Sequence, residues 1–268
     1  MKQQRASVAV AILAKNAAKT LPACLKSLVP YVRQVIVCVD DLTTDKTAQV
    51  ARKHGAMVWP IKVSDWHECD QHGRVLAQHF ARARDESFTH LDPTVDWWLW
   101  IDSDDVLVGG EHLAQVLSGI PAEVECLWCT YRYATIQQGK HSTTDFDRER
   151  FLRAPNTSAA ALHSGCAWRW QHRVHETVGL VEDRMPVSLR VQAIQVQHQE
   201  GIHRVEASTT RNQLLLEIDL EEEPDNARTA FYLANGYYAQ QKWQPAVHWY
   251  ERTTQISDNP YETWQSYC

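Results

Sequence analysis

No stretch of the 268 residues stays apolar for the roughly 20 positions that a helix needs to cross a bilayer. The charged start MKQQR and the short apolar segment behind it resemble a signal peptide. Lys15 and Asn16 end that segment early and no small-residue cleavage site follows, so a buried strand is expected there instead. A basic excess is also lacking: 27 Lys and Arg face 33 Asp and Glu, a formal charge of −6, which argues against a general nucleic-acid-binding surface. The seven cysteines are odd in number, lie in apolar contexts (Cys24, Cys38, Cys166) and have no disulfide-framework spacing. Cys126 and Cys129 form a CxxC, but ECLWCTYRY reads as a strand, whose alternation sends the two thiols to opposite faces and argues against a zinc knuckle. Reduced thiols in a cytoplasmic protein are expected. The N-terminal AILAKNAAKT contains no glycine, so the Gly- and Lys-rich phosphate loop expected of a nucleotidyltransferase is missing.

What is present is an ordinary globular composition, 44% hydrophobic and 22% charged, in a chain long enough for one large domain or a medium one with an appendage. The first hundred residues alternate strand and helix patterns. Ser7–Leu13 is expected as a buried strand. TLPACLKSLVPYV follows as a helix, with Thr20 as its cap and Pro22 in its first turn. Gln34–Val39 is a second strand. DKTAQVARKHG is a helix closed by Gly55, with Arg52, Lys53 and His54 suited to its C-terminal dipole. AMVWPI is a third strand, CDQHGRVLAQHFARAR a helix, and DWWLWI a fourth strand. That order predicts an α/β, doubly wound parallel sheet with ligands at the carboxyl ends of its strands.

Between residues 120 and 200 the alternation is lost. ECLWCTYRYATI, GCAWRWQHRVHETV and LRVQAIQVQH read as strands of mixed pairing, with QQGKHSTTDFDRER a polar loop between the first two. From His203 onward the pattern is helical. RNQLLLEIDLEEEPDN is an amphipathic helix broken by Pro224. Beyond it Leu233, Ala234, Tyr237, Ala246 and Tyr250 have the spacing of one tetratricopeptide helix pair. A single pair is too few to bury its own faces as an array.

The segment WWLWIDSDDVL drives an apolar strand into Asp102, Asp104 and Asp105. Three carboxylates within four residues are tolerated where something cationic offsets them. Asp-x-Asp at a strand end suits magnesium or manganese, which can bridge to phosphate oxygens. A solvated acidic turn would look the same in isolation. Here a second acidic pair, Asp40-Asp41, ends the second strand.

Several blocks together resemble the family 2 glycosyltransferases of the GT-A fold: LAKNAAKTLPACLKSL, QVIVCVDDLTTDKTAQVARKHGA, GRVLAQHFARA and WWLWIDSDD. RVHETV and VQHQEG, followed by the helical tail, are similar to a subgroup that includes core-oligosaccharide and peptide S-glycosyltransferases. The resemblance implies a Rossmann-like mixed sheet over residues 1–202, with a donor half 1–110 and an acceptor half 111–202, and a tetratricopeptide-like helical extension over 203–268. It implies a metal-dependent inverting transfer from a UDP-sugar, with Mn2+ or Mg2+ as cofactor. Asn16, Asp40, Asp41, Arg74, Asp102 and Ser103 would contact the nucleotide. Asp102, Asp104 and His198 would hold the metal. Glu176 would be the general base, with His175 beside it. Leu42 and Thr43 stand where Gly-Ser is usual, and Val75 where an asparagine commonly follows Arg74; both departures lie on the donor side.

Each assignment has a plainer counterpart. Asp105 either holds its turn or joins the site. One of Asp40 and Asp41 faces the base while the other caps the next helix, a role that also suits Asp45. Arg74 shares its expected helix with Arg82 and Arg84, which a solvated face would explain. His175 with Glu176, and His198, could be core hydrogen-bonding groups. Trp97, Trp98, Trp100 and Trp249 fit core packing, whereas Trp168 and Trp170 are expected as acceptor platforms. The acceptor offers a hydroxyl or thiol, and its identity is not readable from the sequence: a saccharide, a peptide side chain and a modified nucleobase all supply such a nucleophile, and the helical tail leans toward a macromolecule. The alternative function is an inactive GT-A interaction module.

Overall fold

A computed structural model describes residues 6–62, 67–69, 75–137, 140–155, 168–182, 184–199 and 205–267. Strand β1 (Ala6–Ala14) is almost wholly buried and pairs in parallel with β2 (Val32–Asp40) on one side and β6 (Trp97–Asp102) on the other; β2 pairs in parallel with β3 (Met57–Ile61). A strand flanked on both edges and covered on both faces reads as a continuous apolar run, which is why ASVAVAILA, VIVCV and WWLWI stand out in the sequence. Helix α1 (Leu21–Leu28) covers them with Leu21, Leu25 and Leu28, which pack with Val8, Val10, Ile12, Trp97, Leu99 and Ile101 in one buried cluster. Helix α2 (Thr47–Lys53) returns toward β3 through Gly55, whose φ of +85° needs a residue without a Cβ.

The residues fall into two compact units, 1–63 with 83–170 and 178–202, and 64–82 with 171–177 and 203–268. The first holds an eight-stranded mixed sheet in the order β3-β2-β1-β6-β9-β8-β12-β7. Its other strands are β7 (Asp105–Val108), β8 (Cys126–Gln137), β9 (Lys140–Arg153) and β12 (Ser188–His198). Helix α4 (Leu113–Ser118) also lies in this unit. The second unit contains a small ribbon of β4 (His67–Cys69) and β5 (Val75–Gln78), then helices α5 (Val205–Glu222), α6 (Ala227–Ala239), α7 (Trp243–Ile256) and α8 (Pro260–Tyr267). Leu215, Leu216 and Leu220 of α5 pack with Ala230 and Leu233 of α6. No helix among the described residues is long and apolar enough to cross a membrane.

Four local expectations are corrected. The polar loop QQGKHSTTDFDRER is largely strand β9, paired antiparallel with β8 from Lys140 to Leu152 with one irregularity. Its outer part, Thr143 to Phe146, is exposed, and its charges meet neighbouring strands, as in Arg132 to Asp145 at 2.9 and 2.7 Å; solvated faces removed the apolar alternation that marks a strand. Of the helix expected over residues 69–84, residues 70–74 lie outside the described residues, Val75–Gln78 pairs with β4 as a strand instead, and the described helix is α3 (Phe80–Thr89). The run GCAWRWQHRVHETV is broken between β10 (Trp168–Gln171) and β11 (Thr177–Leu180), where His172 and His175 take φ of +67° and +55°. Thr20 makes no side-chain cap on α1, its hydroxyl donating to Ala17 O at 3.4 Å, and the helix stops at Leu28; Pro30 supplies no N–H to continue it.

Candidate active site

The carboxyl ends of β2, β1 and β6 lie side by side, with Ala14 in register with Val39 and Leu13 with Asp102. Two strand spacings therefore separate Asp40 from Asp102, on the order of 10 Å, the reach of a nucleotide. Asp40 is buried and accepts from Leu42 N at 2.8 Å, with Lys15 Nζ at 3.0 Å. Asp41 is exposed, and its amide donates to Ile61 O. The residue at the N-cap of α2 is Lys46, which makes no side-chain cap; Asp45, expected to cap, stands one residue earlier and accepts from Thr47 N at 2.9 Å and from the Thr47 hydroxyl in the turn that leads into the helix. Asn16 turns the chain after β1 at φ +50°, a left-handed conformation that asparagine tolerates better than most residues. Its Oδ1 accepts from Thr44 N at 2.8 Å, tying together the loops that follow β1 and β2.

At the end of β6 the three carboxylates have different surroundings. Asp102 accepts from Arg84 at 2.8 Å. Arg84 is not on a solvated face, the plainer reading of its helix: it is 8% exposed, and its guanidinium lies 4.7 Å from the Trp100 ring and 5.0 Å from that of Trp170. Burial raises the pKa of Asp102, but Arg84, Arg150 and Arg148 outweigh it and hold the carboxyl below its ordinary range. Asp105 is fully buried. It accepts from Tyr131 Oη at 3.1 Å, meets His198 Nδ1 at 3.1 Å and faces Arg150, whose guanidinium lies 3.5 Å away and is itself sandwiched against Trp100 and Tyr131. Asp105 is thus the turn's anchor, through side chains rather than backbone. Asp104 differs: among the described residues no arginine or lysine is paired with it, and its nearest cationic neighbour is His198 Nδ1 at 4.0 Å. Burial, then Asp102, raise its pKa, and Asp105 adds to this, while His198 opposes. Burial lowers the pKa of His198, but Asp105, Asp104 and Asp102 raise it more. Ser103, half-buried, completes the turn.

Asp104, Asp105 and His198 each offer one ligand atom within 4.8 Å of one another. His198 reaches this cluster because it ends β12, whose register sets it opposite Asp105 on β7. Of the residues expected to hold a metal, Asp104 and His198 are adjacent, Asp102 belongs to the Arg84 pair, and Asp105 enters in addition. Arg74 lies outside the described residues. Trp168 and Trp170 are core rather than platform: both are buried, Trp168 donates to Arg153 O at 2.9 Å, and Trp170 packs edge-on against Trp100 and Phe88. Arg84, Arg150 and Tyr131 were missed, since an arginine inside DRERFLR carries no sign of being 1% exposed.

His175 and Glu176 lie in the second unit, in the turn that follows β10. The His175 ring stacks on Tyr232 of α6, centroids 4.0 Å apart and planes at 11°. Burial lowers the pKa of Arg211, on α5, against the raising effect of Glu176. His172 is lowered by burial and by Arg228, with Asp219, Glu223 and Glu176 opposing.

The sequence profile of glycosyl transferase family 2 matches residues 9–174. No curated protein matches the chain. Among solved structures, a mycobacterial protein is 15% identical, with 80% of this chain and 73% of that one aligned at a TM-score of 0.45. Glucosyl-3-phosphoglycerate synthase from Mycobacterium tuberculosis, in complex with Mn2+, UDP and phosphoglyceric acid, is 15% identical over 81% and 78% at 0.44. 4-Diphosphocytidyl-2C-methyl-D-erythritol synthase from Anaerococcus prevotii is 10% identical over 69% and 88% at 0.36. The profile spans β1, β2 and β6 with the acidic turns that follow them, and ends before β12 and His198; it covers well over half of the sequence, and by that match the chain belongs to glycosyl transferase family 2.

Proposed function

We propose that the protein is a metal-dependent inverting glycosyltransferase that moves a hexosyl group from a UDP-sugar to an acceptor hydroxyl or thiol. The observation that carries this reading is Asp104, a carboxylate crowded by two others that already have Arg84 and Arg150, and paired with no arginine or lysine among the described residues. Arg84 and Arg150 pair with the other two carboxylates and neither pairs with Asp104, and the remaining oxygen and nitrogen donors suit manganese or magnesium. The fit is good: Asp104 and His198 would hold the ion, and Asp102, oriented by Arg84, would hold it or the ribose. Such an ion offsets charge on the departing diphosphate, a contribution of several kcal/mol.

Asp40, buried and steadied by Lys15, receives the uracil N–H. Asn16 and Asp41 border the same strand ends, and Ser103 lies in the turn that faces the nucleotide. Arg74 extends to the diphosphate in this reading. Glu176 takes the proton as the acceptor oxygen or sulfur bonds to the anomeric carbon. The bond from that carbon to the β-phosphate oxygen breaks on the opposite face, and its electron pair leaves with UDP. A positioned base contributes about 10² to 10⁴ in rate. The acceptor half is read as residues 111–202 and the helices of 203–268 as a tetratricopeptide-like extension, which suits a macromolecular acceptor. Cys24, Cys38, Cys126 and Cys129, all free and buried, suit a reducing compartment.

Thermal unfolding of the full chain with UDP, with Mn2+ and with both tests the reading. Stabilisation by UDP should appear only with the metal, about 2.7 kcal/mol at a hundredfold excess over Kd, and Asp104→Ala should remove it. Equal stabilisation by UDP in the presence of EDTA would refute the metal-dependent site.

A further inference from the structure

The turn that bears Glu176 is strained in two places. His172 and His175, neither of them glycine, both have positive φ. Such a backbone persists only where its surroundings over-determine it. Those surroundings come from α5 and α6. Arg173 donates its backbone N–H to Asp219 Oδ2 at 3.1 Å, and its guanidinium bonds Asp219 and Glu222 of α5, the latter at 2.9 and 2.7 Å. On the other side of the turn, Arg228 donates to His175 O at 3.3 Å and to Tyr232 Oη at 3.4 Å, its guanidinium 4.9 Å from the Tyr232 ring. That ring carries the stacked His175 imidazole.

Arg228 stands in the first turn of α6, behind the Asn226 cap, where the helix dipole disfavours a cation. Its placement is explained by what it holds. Tyr232, one turn on, lies on the same face, so the two side chains form one surface against His175.

We infer that Arg228 and Tyr232 are positioning residues for the base: α6 clamps His175 and thereby fixes where Glu176 points. This rests on Glu176 being the base, and it makes the appended helices part of the catalytic machinery rather than a separate binding module. His175 acts as the clamped anchor, its ring face occupied by Tyr232. The clamp works without touching the substrate, so its effect belongs in turnover and not in donor affinity.

Hydrogen exchange on the full chain tests the clamp directly. In Tyr232→Leu, exchange of the amides at 174–177 should rise at least tenfold while α5 and α7 keep their protection. Tyr232→Phe, which retains the stack, should leave it within about threefold. Should Tyr232→Leu loosen α5 and α7 as well, Arg228→Met and His175→Gly take its place, since glycine accepts the positive φ but has no ring to stack. Unchanged exchange in these variants would overturn the clamp. Hydrolysis of UDP-glucose then separates the clamp from the base. Tyr232→Leu should lower kcat by about 10 to 10²-fold, the size expected when a reacting group is displaced by about an ångström. Mn2+-dependent affinity for UDP should be unchanged. Glu176→Gln/Tyr232→Leu should be no slower than Glu176→Gln alone. Full additivity would show that Tyr232 does not act through Glu176. Wild-type turnover in Glu176→Gln would remove the base assignment, while the exchange result would still decide the anchoring.

Discussion

Arg84→Met removes one guanidinium from two contacts that can be weighed separately. The first is the ion pair with Asp102, where the arginine side chain is 9% exposed and the aspartate 36%. Stripping one partner from a fully buried pair costs about 3–5 kcal/mol, but the opening of Asp102 to solvent reduces that to about 1–2 kcal/mol. The second is the placement between Trp100 and Trp170, at about 0.5–1 kcal/mol per ring, partly recovered by methionine sulfur against the same aromatics. The sum is about 2–3 kcal/mol, or a fall in Tm of roughly 5–10 °C, read by tryptophan fluorescence. Arg82→Met on the same helix provides the control: Arg82 is exposed, and its loss should stay within about 0.5 kcal/mol. The pH dependence has a definite sign. The folded pKa of Asp102 is depressed, so the ion-pair part of the difference is complete above the unfolded carboxylate pKa of about 3.9 and fades as pH falls through the folded value. Arg84→Met as stable as wild type at neutral pH would refute this account of the acidic turn.

Glu176→Gln should leave Mn2+-dependent UDP affinity intact while kcat for UDP-sugar turnover falls by about 10² to 10⁴; normal turnover would remove it as base. The raised pKa of His198 means that protonation stabilises the metal-free fold below about pH 6.5, a contribution lost as pH rises through the folded value. A metal held by His198 would displace that proton, so calorimetry should show Mn2+ affinity rising with pH above the ordinary histidine value of about 6.5, with proton release, and His198→Gln should flatten the trend. Burial pushes the thiols of Cys38 and Cys129 up to about 12 and raises Cys24 and Cys126. At pH 8 iodoacetamide should therefore leave all four unmodified in the native protein and label them on unfolding; rapid native labelling would contradict the packing of α1, β2 and β8.

The buried parallel strands were legible because full burial leaves an unbroken apolar run, and Asp40, Asp102 and Asp104 were legible because acids after such runs stand out. Strand β9 was not, since its outer residues are solvated and only its inner end, with Phe151 and Leu152, is core. The cations that organise the turn were hidden for a related reason. Arg84 and Arg150 are charged residues in charged surroundings along the chain, and their burial depends on Trp100, Trp170 and Tyr131, brought in by other strands and visible only in three dimensions. His198 stands 93 residues from Asp105 in sequence, so only the β12–β7 register makes them neighbours. The Glu176 turn resembled a strand because its apolar pattern continues through residues whose backbone is left-handed.

A crystal of the protein soaked with Mn2+ and UDP, measured at the manganese absorption edge, puts the main claim to its most direct test. The account predicts one anomalous peak bonded to Asp104 and His198, with the diphosphate oxygens completing its shell and uracil against Asp40. An acidic turn free of manganese, with UDP bound elsewhere or not at all, would contradict it.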